Sequence, residues 1–254
     1  MKWPVRSLHR VQPALIGLLL LGAWEVGVRV SGVATFILPP PSLVAARFAQ
    51  AWGDGTMMRH LLPTVMEVTV GGLLGGLLGL LIGIGLGLSG AARRLASPYL
   101  VAAQSTPILA LGPLLVLWFG PGATAKIAIC ALITLFPMAI ATLVAVRDAD
   151  RGLLELGRSI GATRIQSLLL IRLPSARGGI FAGARVAATL AVVGVIVGEW
   201  LGGSAGLGIL LNLARGSLFD TPLLFAALLQ IAILGVSAYG LVLFVERLTL
   251  RLTR

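Results

Sequence analysis

Charge is scarce in this chain. Only 11% of its 254 residues are charged and 57% are hydrophobic, whereas a soluble domain carries about 25% charged residues. So few polar groups could not cover a folded surface in water, which excludes a soluble globular protein and makes a bilayer the solvent. Cysteine is nearly absent. Cys130 stands alone inside an apolar run, so there is no intrachain disulfide and no cysteine pattern for a metal; it reads as a small buried hydrophobe. There are two histidines, His9 and His60, far apart and expected on opposite sides of the membrane, which argues against a metal site or a catalytic histidine network. No Gly-x-x-x-x-Gly-Lys-Ser/Thr occurs, so the chain lacks a nucleotide-phosphate cradle of its own. Gly85-Leu-Gly-Leu-Ser-Gly90 matches a dinucleotide-binding pattern. It closes an apolar run with no preceding strand and is discounted for lack of that context.

What is present is six apolar stretches of membrane-spanning length: Pro13–Val30, Val65–Leu88, Tyr99–Phe119, Ala123–Val146, Ile180–Leu201 and Pro222–Val245. Period-two alternation is absent, so the spans read as helices. Lys2, Arg6 and Arg10 before the first run imitate a signal peptide. The run is long enough to span and no convincing cleavage pattern follows, so it is read as the first helix, with cleavage a minor alternative. Lys and Arg outnumber Asp and Glu by 20 to 9. They fall in short segments between apolar runs, which points to topology rather than nucleic acid. With both termini inside, fifteen of the twenty face the cytoplasm and five (Arg29, Arg47, Arg59, Lys126, Arg215) the outside, as the positive-inside bias requires. The expected organisation is a cytoplasmic N-terminus at 1–12, a single six-helix domain at 13–246 with a cytoplasmic loop at about 147–179, and a cytoplasmic C-terminus at 247–254.

Leu38-Pro39-Pro40-Pro41-Ser42 stops the first helix, since proline lacks the N–H donor. Ser42 is expected to cap a short amphipathic helix through Trp52 at the outer interface. Gly71, Gly75, Gly79, Gly83 and Gly87 recur every four residues of the second span and predict a bare face for close helix packing. Pro107, Pro113 and Pro137 predict kinks or breaks in the third and fourth spans. Glu25, Glu67 and Glu199 fall near or within spans, where ionised groups are costly and turn toward a cavity or partner. Glu67 equally suits interfacial snorkelling, and Glu199 with Trp200 suits an interfacial anchor pair. Gln104, Thr106, Glu199 and Trp200 are the candidate lining of a solute path.

Residues 155–174 form a polar, Arg-bearing island between apolar runs. Leu153, Leu156 and Ile160 share a face of a short helix by spacing. Glu155 and Arg158 are three apart and can pair weakly. Gly161 can end that helix in a left-handed conformation, Thr163 can cap a second helix through about Arg172, and Leu173-Pro174 is expected to end it. The result is a helical hairpin with an apolar ridge and a basic flank, a form that would also suit anionic lipid.

Glu155, Gly161, Ile171, Leu173 and Pro174 fit the Glu-Ala-Ala-x3-Gly-x9-Ile-x-Leu-Pro signature of bacterial ABC-importer permease subunits, which this chain resembles. Leu156 and Gly157 stand where alanines are usual, and glycine weakens a helix by about 1 kcal/mol relative to alanine. Ile37-Leu38-Pro39-Pro40-Pro41-Ser42, Thr106-Pro107 with Ala110-Leu111, Pro113-Leu114 and Trp118-Phe119-Gly120, and Gly198-Glu199-Trp200 with Gly206-Leu207-Gly208 resemble the nitrate/sulfonate/taurine permease group. Glu67 and the Ala191–Trp200 stretch are similar to permeases for the thiamine pyrimidine precursor or riboflavin.

The resemblance implies an all-α integral membrane protein with the type I importer fold, in the bacterial inner membrane. It implies a non-enzymatic permease working as a homodimer among membrane lipids. Two cytoplasmic subunits would carry ATP and Mg and dock on the hairpin, an extracytoplasmic solute-binding protein would deliver cargo, and this chain would hold no cofactor and bind no nucleic acid. The cargo implied is a vitamin precursor, with sulfonate, taurine or nitrate as alternatives. The residues alone also admit an ion-coupled secondary carrier or a non-transporting scaffold. A carrier would need a midplane ionisable relay, and the span centres show little of one.

Overall fold

A computed structural model describes residues 5–105 and 108–251. Its elements are α1 (Val5–Ser31), α2 (Pro41–Gly53), α3 (Thr56–Leu88), α4 (Gly90–Ser105), α5 (Ile108–Phe119), α6 (Ala123–Arg147), α7 (Arg151–Ser159), α8 (Arg164–Gln166), a π-helical segment (Ser167–Arg172), α9 (Leu173–Leu201), α10 (Leu207–Arg215) and α11 (Thr221–Arg251). No strand occurs among the described residues. Among them α3, α6, α11 and the continuous stretch Arg164–Leu201 are long and apolar enough to cross a membrane, and Ala110–Phe119 is a shorter apolar helix. The first predicted span lies within α1, and the third falls across α4 and α5. Pro113 and Pro137 sit inside α5 and α6; Pro107 lies outside the described residues.

The chain divides into two compact units. The first runs through Met58 and includes Leu210–Gln230. Within it α2 begins two residues earlier than the sequence suggested: Pro40, not Ser42, holds the cap position. Pro41 occupies the first turn, where a missing N–H costs nothing. The Ser42 N–H instead donates to Glu25 Oε2 at 2.9 Å and its hydroxyl to Glu25 Oε1 at 2.8 Å. A carboxylate from α1 thus serves the helix start in place of a local cap, where the macrodipole favours negative charge. Arg29, one turn along α1, pairs with the same carboxylate. At the other end of this unit Asp220 caps α11 through the Leu223 N–H and pairs with Arg47 Nε at 2.7 Å.

The second unit, Arg59–Ile209 with the chain from Ile231 onward, is built around α6. One face of α3 carries Gly71, Gly75, Gly79, Gly83 and Gly87, all buried. A methyl group added at these positions would fall 2.0–2.9 Å from α6, against Cys130, Thr134 and the Ala131, Leu135, Ala139, Thr142 and Val146 neighbourhood. The opposite face of α3 exposes Leu73, Leu74, Leu77, Leu78 and Leu81, as a lipid-facing side should. The sequence reading missed a second, interrupted stripe. Gly179, Gly183, Gly194 and Gly198 of α9 press on Ala145, Ala141, Cys130 and Lys126 of α6. Helix α6 therefore lies between two faces stripped of side chains, the arrangement by which packing drives helix association in lipid. Cys130 is buried, its sulfur 3.5 Å from the Ala191 carbonyl.

Two neighbouring glycines separate packing from helix propensity. Gly75→Ala puts a carbon about where Thr134 Oγ1 and the Ala131 carbonyl already are (2.0 and 2.2 Å) and is expected to destabilise by about 1–3 kcal/mol. Gly76→Ala enters open space and is expected to be neutral or to gain up to about 1 kcal/mol. Thermal unfolding of the two variants in one detergent gives the comparison.

Candidate functional site

Two places in the second unit gather chemistry. The first is the hairpin after α6. Arg147 grips Asp148 through Nε and Nη2 at 2.6 and 2.9 Å, and this hydrogen bonding holds the Asp148 carboxyl below the usual carboxylate range. Asp150 caps α7 by accepting the Leu153 N–H. The helix ends in a Schellman motif: Gly161 N–H donates to the Arg158 carbonyl and Ala162 N–H to the Gly157 carbonyl, with Gly161 at φ +75°. Only glycine takes that angle without steric cost. Thr163 then opens the second arm with a reciprocal capping box: its hydroxyl accepts the Gln166 N–H, and Gln166 Oε1 accepts the Thr163 N–H.

That second arm does not end at Leu173-Pro174, as the sequence suggested. The chain passes through a π turn, in which Leu173 N–H bonds the Leu168 carbonyl, straight into α9. Proline is accommodated in the first turn of the new α-helical segment, where its absent N–H matters least. The hairpin's second arm and the fifth span are thus one helical rod. Ile171 packs across the hairpin onto Gly157, where an added methyl would lie 2.7 Å from Ile171 Cδ1; glycine in place of alanine admits this side chain. Arg172 donates to the Val146 carbonyl at 3.1 Å, securing the arm to the last turn of α6. Leu173 and Pro174 border an apolar hollow of about 270 Å³ with Leu80, Ile84, Leu169, Arg177, Ile180 and Phe181. Glu155 is exposed, and no ion pair joins it to Arg158 among the described residues. Leu153, Leu156, Ile160, Ile165, Leu169 and Leu170 are 48–75% exposed, an apolar surface flanked by exposed Arg151, Arg158 and Arg164.

The second place is a buried polar cluster joining α3, α6, α9 and the turn before α10. Lys126 Nζ lies 2.8 Å from Glu67 Oε1 and 3.3 Å from the Ala205 carbonyl. Glu199 accepts from the Thr64 hydroxyl at 2.6 Å and from the Gly208 N–H at 2.6 Å. The Thr64 oxygen also accepts the Leu207 N–H at 2.9 Å, and His60 Nδ1 sits 2.8 Å from the Gly206 carbonyl. Exposures run from 0% at Thr64 through 1% at Glu199, 3% at Glu67 and 4% at Lys126 to 7% at His60. Gly206 has φ +144°, and an added methyl there would fall 2.2 Å from Glu199; the turn closes over the carboxyl because this residue has no side chain.

The candidate path residues are therefore not gathered in one lining. Glu199 is enclosed, whereas Trp200 next to it is 53% exposed. Thr106 and the Gln104 side chain lie outside the described residues. Glu67 does not snorkel but meets Lys126 in the interior. Lys126, Thr64 and His60 were not singled out from sequence. The available signal was a lone lysine early in an apolar run, with one buried acid on each of two other spans.

This geometry belongs to a known architecture. Residues 75–251 match the family of binding-protein-dependent transport system inner membrane components, and the chain belongs to that family. A chain of the MetNI methionine ABC transporter in an inward-facing conformation superposes with a TM-score of 0.68 at 21% identity, over 75% of this chain and 94% of that one. A chain of an amino acid ABC transporter with histidines gives 0.63 at 20% identity, over 78% and 96%. The chain is thus a multi-pass inner-membrane permease subunit, a transporter component with the type I ABC-importer fold. It is 45% identical over 97% of its length to the riboflavin transport system permease protein RibX of Chloroflexus aurantiacus, covering 94% of that relative. It is 32% identical to the formylaminopyrimidine transport permease protein ThiX of Halalkalibacterium halodurans (96% and 97% covered). It is 37% identical to the putative aliphatic sulfonates transport permease protein SsuC of Escherichia coli K12 (99% and 95%).

Lys126→Met leaves a carboxylate buried without its cation and is expected to destabilise by on the order of 3 kcal/mol. Adding Glu67→Leu to that variant is expected to recover most of the loss. The thermal midpoints of both variants check this.

Proposed function

We propose that this chain admits a heteroaromatic vitamin-class solute, riboflavin or the pyrimidine precursor of thiamine, across the inner membrane. It works as a homodimer, with both termini cytoplasmic, beside two ATP-binding subunits and an extracytoplasmic solute-binding protein. The observation that carries the cargo is the similarity to a riboflavin permease over nearly the full length of both chains, joined by a thiamine-precursor permease. Sulfonate transport is the second reading, favoured by the E. coli relative.

The hairpin is the docking element for the ATP-binding subunits in this reading. Its apolar surface and arginine flank are exposed among the described residues, and its frame is fixed by two caps and the Arg172–Val146 bond. Glu155 and Gly161 lie on the first arm and at its end. Leu173 and Pro174 mark where the second arm becomes the membrane helix. The glycine stripes hold α3 and α9 to α6, so that a push on the hairpin moves packed helices rather than a loose loop.

In a host unable to make riboflavin, expression with the matching ATP-binding subunit and binding protein is expected to restore growth on low external riboflavin. Growth restored only by the thiamine pyrimidine precursor or only by a sulfonate source would redirect the cargo. Glu155→Lys and Gly161→Asp are each expected to lower uptake at least about tenfold, the effect of about 1.4 kcal/mol of lost docking free energy, with the permease still in the membrane. Co-purification of the ATP-binding subunit should fall in parallel; normal uptake by both variants would refute the docking role.

A further inference from the structure

The buried cluster does not balance its charges. Glu67 and Glu199 bring two carboxyls; Lys126 brings one ammonium. Each of the three residues is at least 96% enclosed, and a surplus charge in such surroundings is removed by taking up or releasing a proton rather than tolerated.

The hydrogen bonds show where the imbalance lies. Glu67 Oε1 is satisfied by Lys126. Both oxygens of Glu199 are satisfied, by Thr64 and by the Gly208 N–H. Glu67 Oε2 is buried and has no donor. The other carboxyl belongs to the same enclosed cluster: Thr64, three residues before Glu67 on one face of α3, donates to Glu199 Oε1 at 2.6 Å, and Lys126 ties Glu67 to the turn that rests on Glu199. Two carboxylates cannot bond, because each only accepts; a carboxylic acid and a carboxylate can.

The remaining charged and titratable neighbours do not supply the missing donor. From α3, His60 is turned onto Gly206 and Arg59 is exposed beyond it. From α6, Cys130 is a neutral thiol directed at the Ala191 carbonyl. From α9 and the following turn come only Glu199 itself and backbone groups.

We propose that Glu67 and Glu199 share one bound proton, so that the cluster is a proton-binding site of the folded permease, neutral as a carboxylate, a carboxylic acid and an ammonium. The shared proton bonds α3 to α9, and Lys126 bonds α3 and the turn after α9 to α6. Loss of the proton sets two carboxylates against each other beneath Gly206 and Gly208, which rest directly on Glu199, and so loosens the turn that covers them. Nothing in this inference depends on which solute the permease carries or on ATP-subunit docking.

The test is infrared spectroscopy of the full-length permease in lipid nanodiscs. The wild type is expected to show the C=O stretch of a buried protonated carboxyl, shifted in D₂O. Glu67→Gln and Glu199→Gln are each expected to lose it, because the carboxyl that remains then ionises against Lys126. His60→Gln is expected to keep it. A wild type without this band, or a band that survives either glutamine replacement, overturns the proposal.

Should the glutamine variants fail to fold, titration of the wild type decides. The folded state holds a proton that the unfolded state releases, so the thermal midpoint is expected to fall as pH rises and the band to disappear over the same interval. A midpoint that stays level or rises while the band is lost overturns the proposal.

Discussion

Helix α6 has almost no room. Glycines of α3 and of α9 bring two backbones against it at distances that no side chain could share, and the rest of the second unit is arranged around that confinement. In lipid, apolar surface alone gives helices little reason to associate, so the contact must come from shape. The leucines that make α3 look hydrophobic, Leu73, Leu74, Leu77, Leu78 and Leu81, lie on its outer face. The residues that hold the helices together are the ones with no side chain.

The same closeness makes the polar cluster feasible. Lys126 begins the stripe of α6 residues that Gly198 and Gly194 press upon, and Glu67 lies one turn before Gly71 on α3. A lysine and a glutamate are thus held at hydrogen-bond distance in a place where a pair with poor geometry would not offset its desolvation. Thr64, His60 and the glycine-rich turn after α9 complete the set from groups close in sequence to the packed helices. The cluster is an extension of the packing, made of charge instead of shape.

Much of the fold was legible in the sequence because the membrane simplifies the reading. Span length and the lack of alternation both bear on the same few helices. The four-residue glycine period of α3 is equally plain, since it projects directly onto one face. The hairpin frame could be read in part because caps use local chemistry: Gly161 and Thr163 act on residues within a few positions, and Asp150, which caps α7 in the same local way, was not singled out. Three features were hidden for a common reason, which is that they depend on distant parts of the chain. Glu25 takes over the start of α2 from seventeen residues away, so Ser42 was given the wrong task. The α9 glycines fall into two pairs, with buried Ala187 and Ala191 on the stretch between them, and show no single period. Lys126, Glu67 and Glu199 come from three helices, and only folding sets them side by side. The continuity through Pro174 was missed because proline was read as an end, whereas a π turn lets a helix resume at it.

That continuity has a mechanical meaning. From Arg164 to Leu201 the backbone is helical for 38 residues without an intervening loop, roughly 57 Å at 1.5 Å per residue. The N-terminal end of this shaft carries the capped elbow with its bare leucines and arginines; the opposite end carries Glu199. A loop between them would absorb displacement as slack. With none, a small angular swing at one end must appear at the other, and α6, held between the two glycine faces, is the natural fulcrum.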